Sequence, residues 1–181
     1  MRKKLNDMEK KKIEDITISL LEEFRLQNNT PSPYVDIVSL AKFFGFTVGE
    51  SKKLSDKENG FIAISKDKQE LLIGVNYYRT WEEKRFIIAH ELAHYFLDYK
   101  NTKLHKSVFV MHSENVKGKN TIENDADFFA ACILMPRAEF ESAYIKIKDN
   151  STYDDLVDKL EEIFRTPRES VERRIKELCH V

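Results

Sequence analysis

Apolar residues recur at helical spacing near the start of the chain. Ile13, Ile16, Leu20 and Phe24 are separated by Glu, Asp and Lys, which predicts an amphipathic helix over 10–28. Asn29-Thr30-Pro31-Ser32-Pro33 breaks the pattern. Ile37, Leu40, Ala41 and Phe44 then mark a short helix that Gly45 closes. Phe46–Val48, Gly60–Ile64 and Leu71–Asn76 read as short strands, with a polar loop at Ser51–Asn59 and a polar turn at Ser65–Gln69. Thr80 and Glu83 have the spacing of a capping box, so a long helix is expected from Trp81 to about Tyr99. Lys100–Asn120 is a polar loop, broken by Val108-Phe109-Val110-Met111 as a further edge strand. A second long helix is expected from Asn120 to the stop at Pro136, followed by helices over Arg137–Lys146, Tyr153–Phe164 and Arg168–Cys179. Helix, strands, two central helices and more helices make an α+β pattern with a small antiparallel or mixed sheet.

Composition narrows this reading. The chain has 181 residues, 41% of them apolar, enough for one domain with a core of its own. The expected division is a main domain over 1–150 with a helical segment, 151–181, packed on it. Only 5 Gly and 4 Pro suit a helix-rich chain. Lys+Arg 30 against Asp+Glu 31 gives a net charge of −1, so no global basic field points to nucleic acid. The basic stretch from Arg2 to Lys12 reads as a solvated helix start. No apolar run approaches the ~20 residues of a membrane span, and no signal-peptide core follows the basic N-terminus. Cys132 and Cys179 are too few for a disulfide framework, and Cys132 reads as an inert core residue. The expected setting is the cytoplasm, with any controlling signal reaching the chain from outside it.

Residues 90 to 94 are His-Glu-Leu-Ala-His. On a helix His90 and His94 lie one turn apart on one face, where two imidazoles can share one Zn²⁺. Glu91 lies about 100° around the helix, beside such a metal, where it can take a proton from a bound water. With 5 His and 19 Glu in the chain, a chance match to H-E-x-x-H is expected roughly 0.015 times. The surrounding residues Phe86 to Leu97 are apolar nearly all round, which predicts a buried helix. The metzincin continuation is absent, because Leu97 and Lys100 stand where Gly and His would. The third ligand is sought on the next helix, where Glu123 and Asp127 are one turn apart. Glu123 would reach the metal and Asp127 would stand behind a ligating histidine. The alternatives are that Glu123 only serves the helix dipole, or that His105 or His112 is the ligand. A donor for a tetrahedral oxyanion is also needed, and His112, Tyr153 and Arg174 are the candidates.

These residues resemble the ImmA/IrrE family of zinc metallopeptidases, a gluzincin-like group often encoded by phages and mobile elements. The likeness rests on Arg85-Phe86-Ile87-Ile88-Ala89-His90-Glu91-Leu92-Ala93-His94, on Glu123-x-x-Ala126-Asp127-x-Phe129-Ala130, and on Leu134-Met135-Pro136. Weaker matches are Val35-Asp36-Ile37, Leu40-Ala41, Gly45, Asn76 and the tail from Phe164 to Ile175. The resemblance implies a zincin-like fold, one zinc per chain on His90, His94 and Glu123, and Glu91 as catalytic base. It further implies a protein substrate, most often a helix-turn-helix repressor. The chain departs from the family at Asp98, where a histidine is common, and at Asp127, where asparagine is common. The alternative is a metal-binding anti-repressor that acts without cleavage. A helix-turn-helix reading of the last two helices is opposed by Asp154, Asp155, Asp158, Glu161, Glu162, Glu169 and Glu172, so direct nucleic-acid binding is not expected.

Overall fold

The computed structural model describes residues 5–28, 33–65, 70–99, 109–114 and 121–179. Most of the break expected at 29–33, most of the turn expected at 65–69, most of the loop expected over 100–120, and His105 within it lie outside the described residues.

The first helix, α1 (Asp7–Asn28), starts three residues before the expected position. Asn6 explains the shift. Its side chain accepts from the Glu9 amide at 2.9 Å, and its own amide donates to the Glu9 carboxylate at 2.9 Å, a reciprocal cap. The next helix, α2 (Ile37–Phe43), is capped by Asp36, which accepts from the Ser39 amide at 3.1 Å. Gly45, at φ 90°, turns the chain out of it, a backbone that a side chain would strain.

The strands are β1 (Phe46–Ser51), β2 (Glu58–Ile64), β3 (Leu71–Asn76) and β4 (Phe109–Glu114), in the spatial order β1-β3-β2-β4. β1 runs parallel to β3, and the other two pairings are antiparallel, so the sheet is mixed. Asn76 ties the end of β3 to the start of β2. Its amide donates to the carbonyls of Ser55 at 2.9 Å and Glu58 at 2.8 Å, and its carbonyl accepts from the Tyr78 amide at 3.1 Å.

The capping box is present: Thr80 Oγ1 accepts from the Glu83 amide, and Glu83 accepts from the Thr80 amide. It opens α3 (Trp81–Ala93). The expected α-helix does not continue to Tyr99, because from His94 to Tyr99 the chain winds as a π-helix. Wide turns of this kind are rare and gather at functional sites. Here Tyr95 and Phe96 are held by edge contacts to Phe46 at 5.0 Å and Phe44 at 5.1 Å, and Phe96 stacks on Phe129 at 6.3 Å.

Four helices follow: α4 (Thr121–Leu134), α5 (Arg137–Lys148), α6 (Tyr153–Phe164) and α7 (Arg168–Leu178). One buried apolar cluster joins α1, α2, the sheet, α3 and α4. A second holds Met135, Phe140 and the inner faces of α6 and α7, so α5 packs with the C-terminal helices. The fold is α+β, with the sheet and the two central helices of a zincin-like domain. No helix among the described residues is long and apolar enough to cross a membrane.

Candidate metal centre

Two helices and the sheet build the site. α3 lies against β2 and β3 on one side and α4 on the other. Small residues on α4, Ala126 and Ala130, are fully buried and allow that approach. α3 brings His90 and His94 one turn apart, 4% and 0% exposed. α4 brings Glu123 to both rings: its carboxylate oxygens lie 3.2 Å from His90 Nε2 and 3.5 Å from His94 Nε2. The two Nε2 atoms are 3.2 Å apart.

These separations suit a metal ion. Ligand distances of about 2.0–2.1 Å in a tetrahedral shell put neighbouring donors about 3.3 Å apart. The ring tautomers agree. Asp127 Oδ1 accepts at 3.0 Å from His90 Nδ1, and Asp98 Oδ2 accepts at 3.2 Å from His94 Nδ1. With both Nδ1 atoms donating, both Nε2 lone pairs face the same space, and two acceptors that close repel unless a cation lies between them. A proton can also serve. Burial pulls the His90 pKa down, but the hydrogen bonds to Asp127 and Glu123 and the charge of Glu91 outweigh it and hold the group at about 9. His90, His94 and Glu123 are therefore the residues that could hold a metal ion.

Glu91 is fully buried and is not one of these donors. Its Oε1 lies close to Gly60 of β2. A Cβ built on Gly60 would sit 2.6 Å from Ile87 Cγ2, 2.8 Å from the Gly74 carbonyl and 3.4 Å from Glu91 Oε1. The contacts with Ile87 and the Gly74 carbonyl leave room only for glycine where the strand passes Glu91.

The structure thus brings Glu123 and Asp127 to the histidines as the spacing suggested. It does not bring Arg174 there. The Arg174 guanidinium is buried in the helical layer, where it donates to the Met135 carbonyl at 3.1 Å and to Glu177 at 2.9 Å. Its third neighbour is Glu14, at 3.7 Å. Tyr153 opens α6 and is half-exposed. His112 lies on β4 opposite Phe61, one residue along β2 from Gly60. Cys132 is buried, and burial pushes its thiol up to about 12, as befits an inert core residue. Between the last helices, Arg168 is held by Asp154, Asp158 and Glu172 rather than presented to a phosphate.

Two contacts were not read from the sequence. Asp98 was noted only as a departure from the family, yet it stands behind His94 as Asp127 stands behind His90. Its spacing, four residues after His94, was the available signal. Arg173, on α7, reaches within 3.7 Å of the other oxygen of Asp127, and no spacing rule links residues so far apart.

No curated protein matches the chain in a sequence search. A transcriptional regulator of Mycobacterium tuberculosis has a similar structure, with a TM-score of 0.55 and 18% identity. The match covers 89% of this chain and 46% of that one, so the chain spans less than half of that neighbour's length, and the likeness speaks for the fold. The family model of the IrrE N-terminal-like domain, a peptidase family, matches residues 46–176. That span takes in the sheet, the donor set and the helices behind it, and the chain belongs to the IrrE N-terminal-like family of metallopeptidase-type domains.

Proposed function

We propose that the chain is a zinc-dependent endopeptidase that cuts a specific protein in the cytoplasm, a helix-turn-helix repressor being the substrate that the family resemblance favours. The observation that carries this reading is the place of Glu91: a buried carboxylate beside a His-His-Glu donor set and outside it. A structural metal site is closed by its ligands and has no use for such a neighbour.

Zinc bound there would polarise the scissile carbonyl and lower the pKa of water toward ~7. Glu91 takes the proton of the attacking water and hands it to the leaving amine. Asp127 and Asp98 keep the two imidazoles in the tautomer that leaves Nε2 free to bind. For the second oxyanion donor His112 is the favoured candidate, because Arg174 is committed to the Met135 carbonyl and to Glu177. In support, β4 sets His112 beside the strand that covers Glu91.

The test is to incubate the purified chain with a candidate repressor, with and without chelator, and to repeat it with Glu91→Gln. Fragments that disappear with chelator are expected. The variant should keep its zinc and its grip on the repressor, while turnover falls at least a thousandfold. If Glu91→Gln still relieves repression in cells and the wild type yields no fragments, the chain is an anti-repressor that acts by binding alone.

A further inference from the structure

Asp127 has a second side. One of its oxygens holds His90, and the other faces a cleft of about 520 Å³ that neither histidine lines. Phe86, Phe128 and Ala131 form an apolar wall, and α1 and α7 supply the polar rim. Lys10, Arg173, Arg174 and Lys176 line the cleft against Asp127 and Glu177, four cations to two acids. Glu177 is engaged by Arg174 at 2.9 Å and by Lys10 at 3.3 Å. Arg173 and Lys176 are exposed on successive turns of α7. Arg173 reaches Asp127 at 3.7 Å, too far for a hydrogen bond.

We infer that this cleft binds a small amphipathic anion, with a carboxylate or phosphate head on Arg173 and Lys176 and an apolar body along Phe86, Phe128 and Ala131, and that its binding tightens the hold of the His-His-Glu site on its metal. The sign follows from charge. An anion on Arg173 offsets a cation that leans on Asp127, so Asp127 becomes a stronger acceptor for His90 and the ring a better ligand. The added negative charge also favours a cation at the donors directly. Both effects act in one direction, and a gain of about fivefold in metal affinity is the expected size. By reciprocity the metal tightens the anion by the same factor. The binding half stands on the cleft alone; the coupling half rests on reading His90, His94 and Glu123 as a metal site.

The full chain is titrated with 8-anilinonaphthalene-1-sulfonate, whose fluorescence reports binding, with octanoate, octyl phosphate below its micelle concentration, inorganic phosphate and octanol as competitors. One saturable site is expected. Octanoate or octyl phosphate should displace the dye at least tenfold better than inorganic phosphate or octanol, and whichever is stronger identifies the head group. Arg173→Ser with Lys176→Ser, both on the surface, should weaken dye binding at least tenfold with the circular dichroism unchanged. Zinc affinity, read by competition with a chromophoric chelator, should rise about fivefold in saturating octanoate, and not in the double variant. Equal dye binding by wild type and variant, or none by either, overturns the site. Octanoate that binds without moving zinc affinity overturns the coupling. A wild type that binds no zinc removes the metal-site reading and the coupling with it, while the dye titration of the same sample still decides the cleft.

Discussion

Each histidine of the donor set has a carboxylate on its far nitrogen, Asp127 behind His90 and Asp98 behind His94, and the two differ in setting. Asp127 is 8% exposed at its side chain and also faces Arg173; Asp98 is 30% exposed and belongs to the π-helical turn. Partners of this kind fix ring orientation and raise ligand basicity, and losing one typically costs 10- to 100-fold in metal affinity. Asp127→Asn and Asp98→Asn should each weaken zinc binding within that range, with the larger loss at the more buried Asp127, as measured by competition with a chromophoric chelator. Glu123→Gln removes a donor itself, so it should weaken binding beyond either variant while the circular dichroism stays unchanged. Unchanged affinity in Glu123→Gln would move the third ligand to another residue, His105 and His112 being the first to test.

At the scale of the elements, α3 meets β2 closely at Gly60. Gly60→Ala puts a methyl into Ile87 and the Gly74 carbonyl, so the strand or the helix must shift. The expected loss is about 2 kcal/mol of stability, with turnover falling more than zinc affinity because Glu91, not the histidines, lies beneath. Gly49, on β1, has open space where a Cβ would go. Gly49→Ala should therefore be neutral or stabilise by about 0.5 kcal/mol, and urea melts of the two variants separate the cases. Much of this architecture was legible in the pattern of residues. Thr80 and Glu83 announced the start of α3, and Pro136 the end of α4. Val108 to Met111 anticipated the edge strand. The parallel pairing of β1 with β3 was not legible, because partner choice is a tertiary property that alternation along one strand does not encode. The π-helical turn was hidden for another reason. Residues 86 to 97 are apolar nearly all round, so one extra residue per turn leaves no mark on the period. Asp98 stayed out of the predicted site although its spacing from His94 was visible, because i to i+4 spacing alone does not tell a partner of the ring from a surface acid.

At the scale of the molecule, the sheet-and-helix layer and the C-terminal helices meet at buried arginines. Arg85, 3% exposed, sits five residues before His90 and donates to the Arg165 carbonyl at 2.9 Å, the Tyr34 hydroxyl at 3.0 Å and the Val35 carbonyl at 2.8 Å. Arg165 is the one described non-glycine residue at positive φ, 53°, so this joint holds a strained backbone in place. Arg85→Met would leave the buried Val35 carbonyl and the half-buried Arg165 carbonyl without their donor, and a loss of about 2 kcal/mol is expected in urea melts. The metal should stabilise the same molecule from its centre. Glu91, Glu123, Asp127 and two imidazoles converge where little water reaches, and a divalent cation offsets that charge in the folded chain only. A ligand present at about 1,000 times its Kd stabilises by about 4 kcal/mol. In a chain of this length each kcal/mol moves Tm by about 2–4 °C. Stripping zinc with a chelator should then lower Tm by roughly 8–16 °C, and added zinc should restore it. His94→Ala is the control. It should melt lower than the loaded wild type and give the same Tm with chelator as with zinc. A wild type whose Tm ignores both would have no specific metal in this site, whatever its donors' spacing.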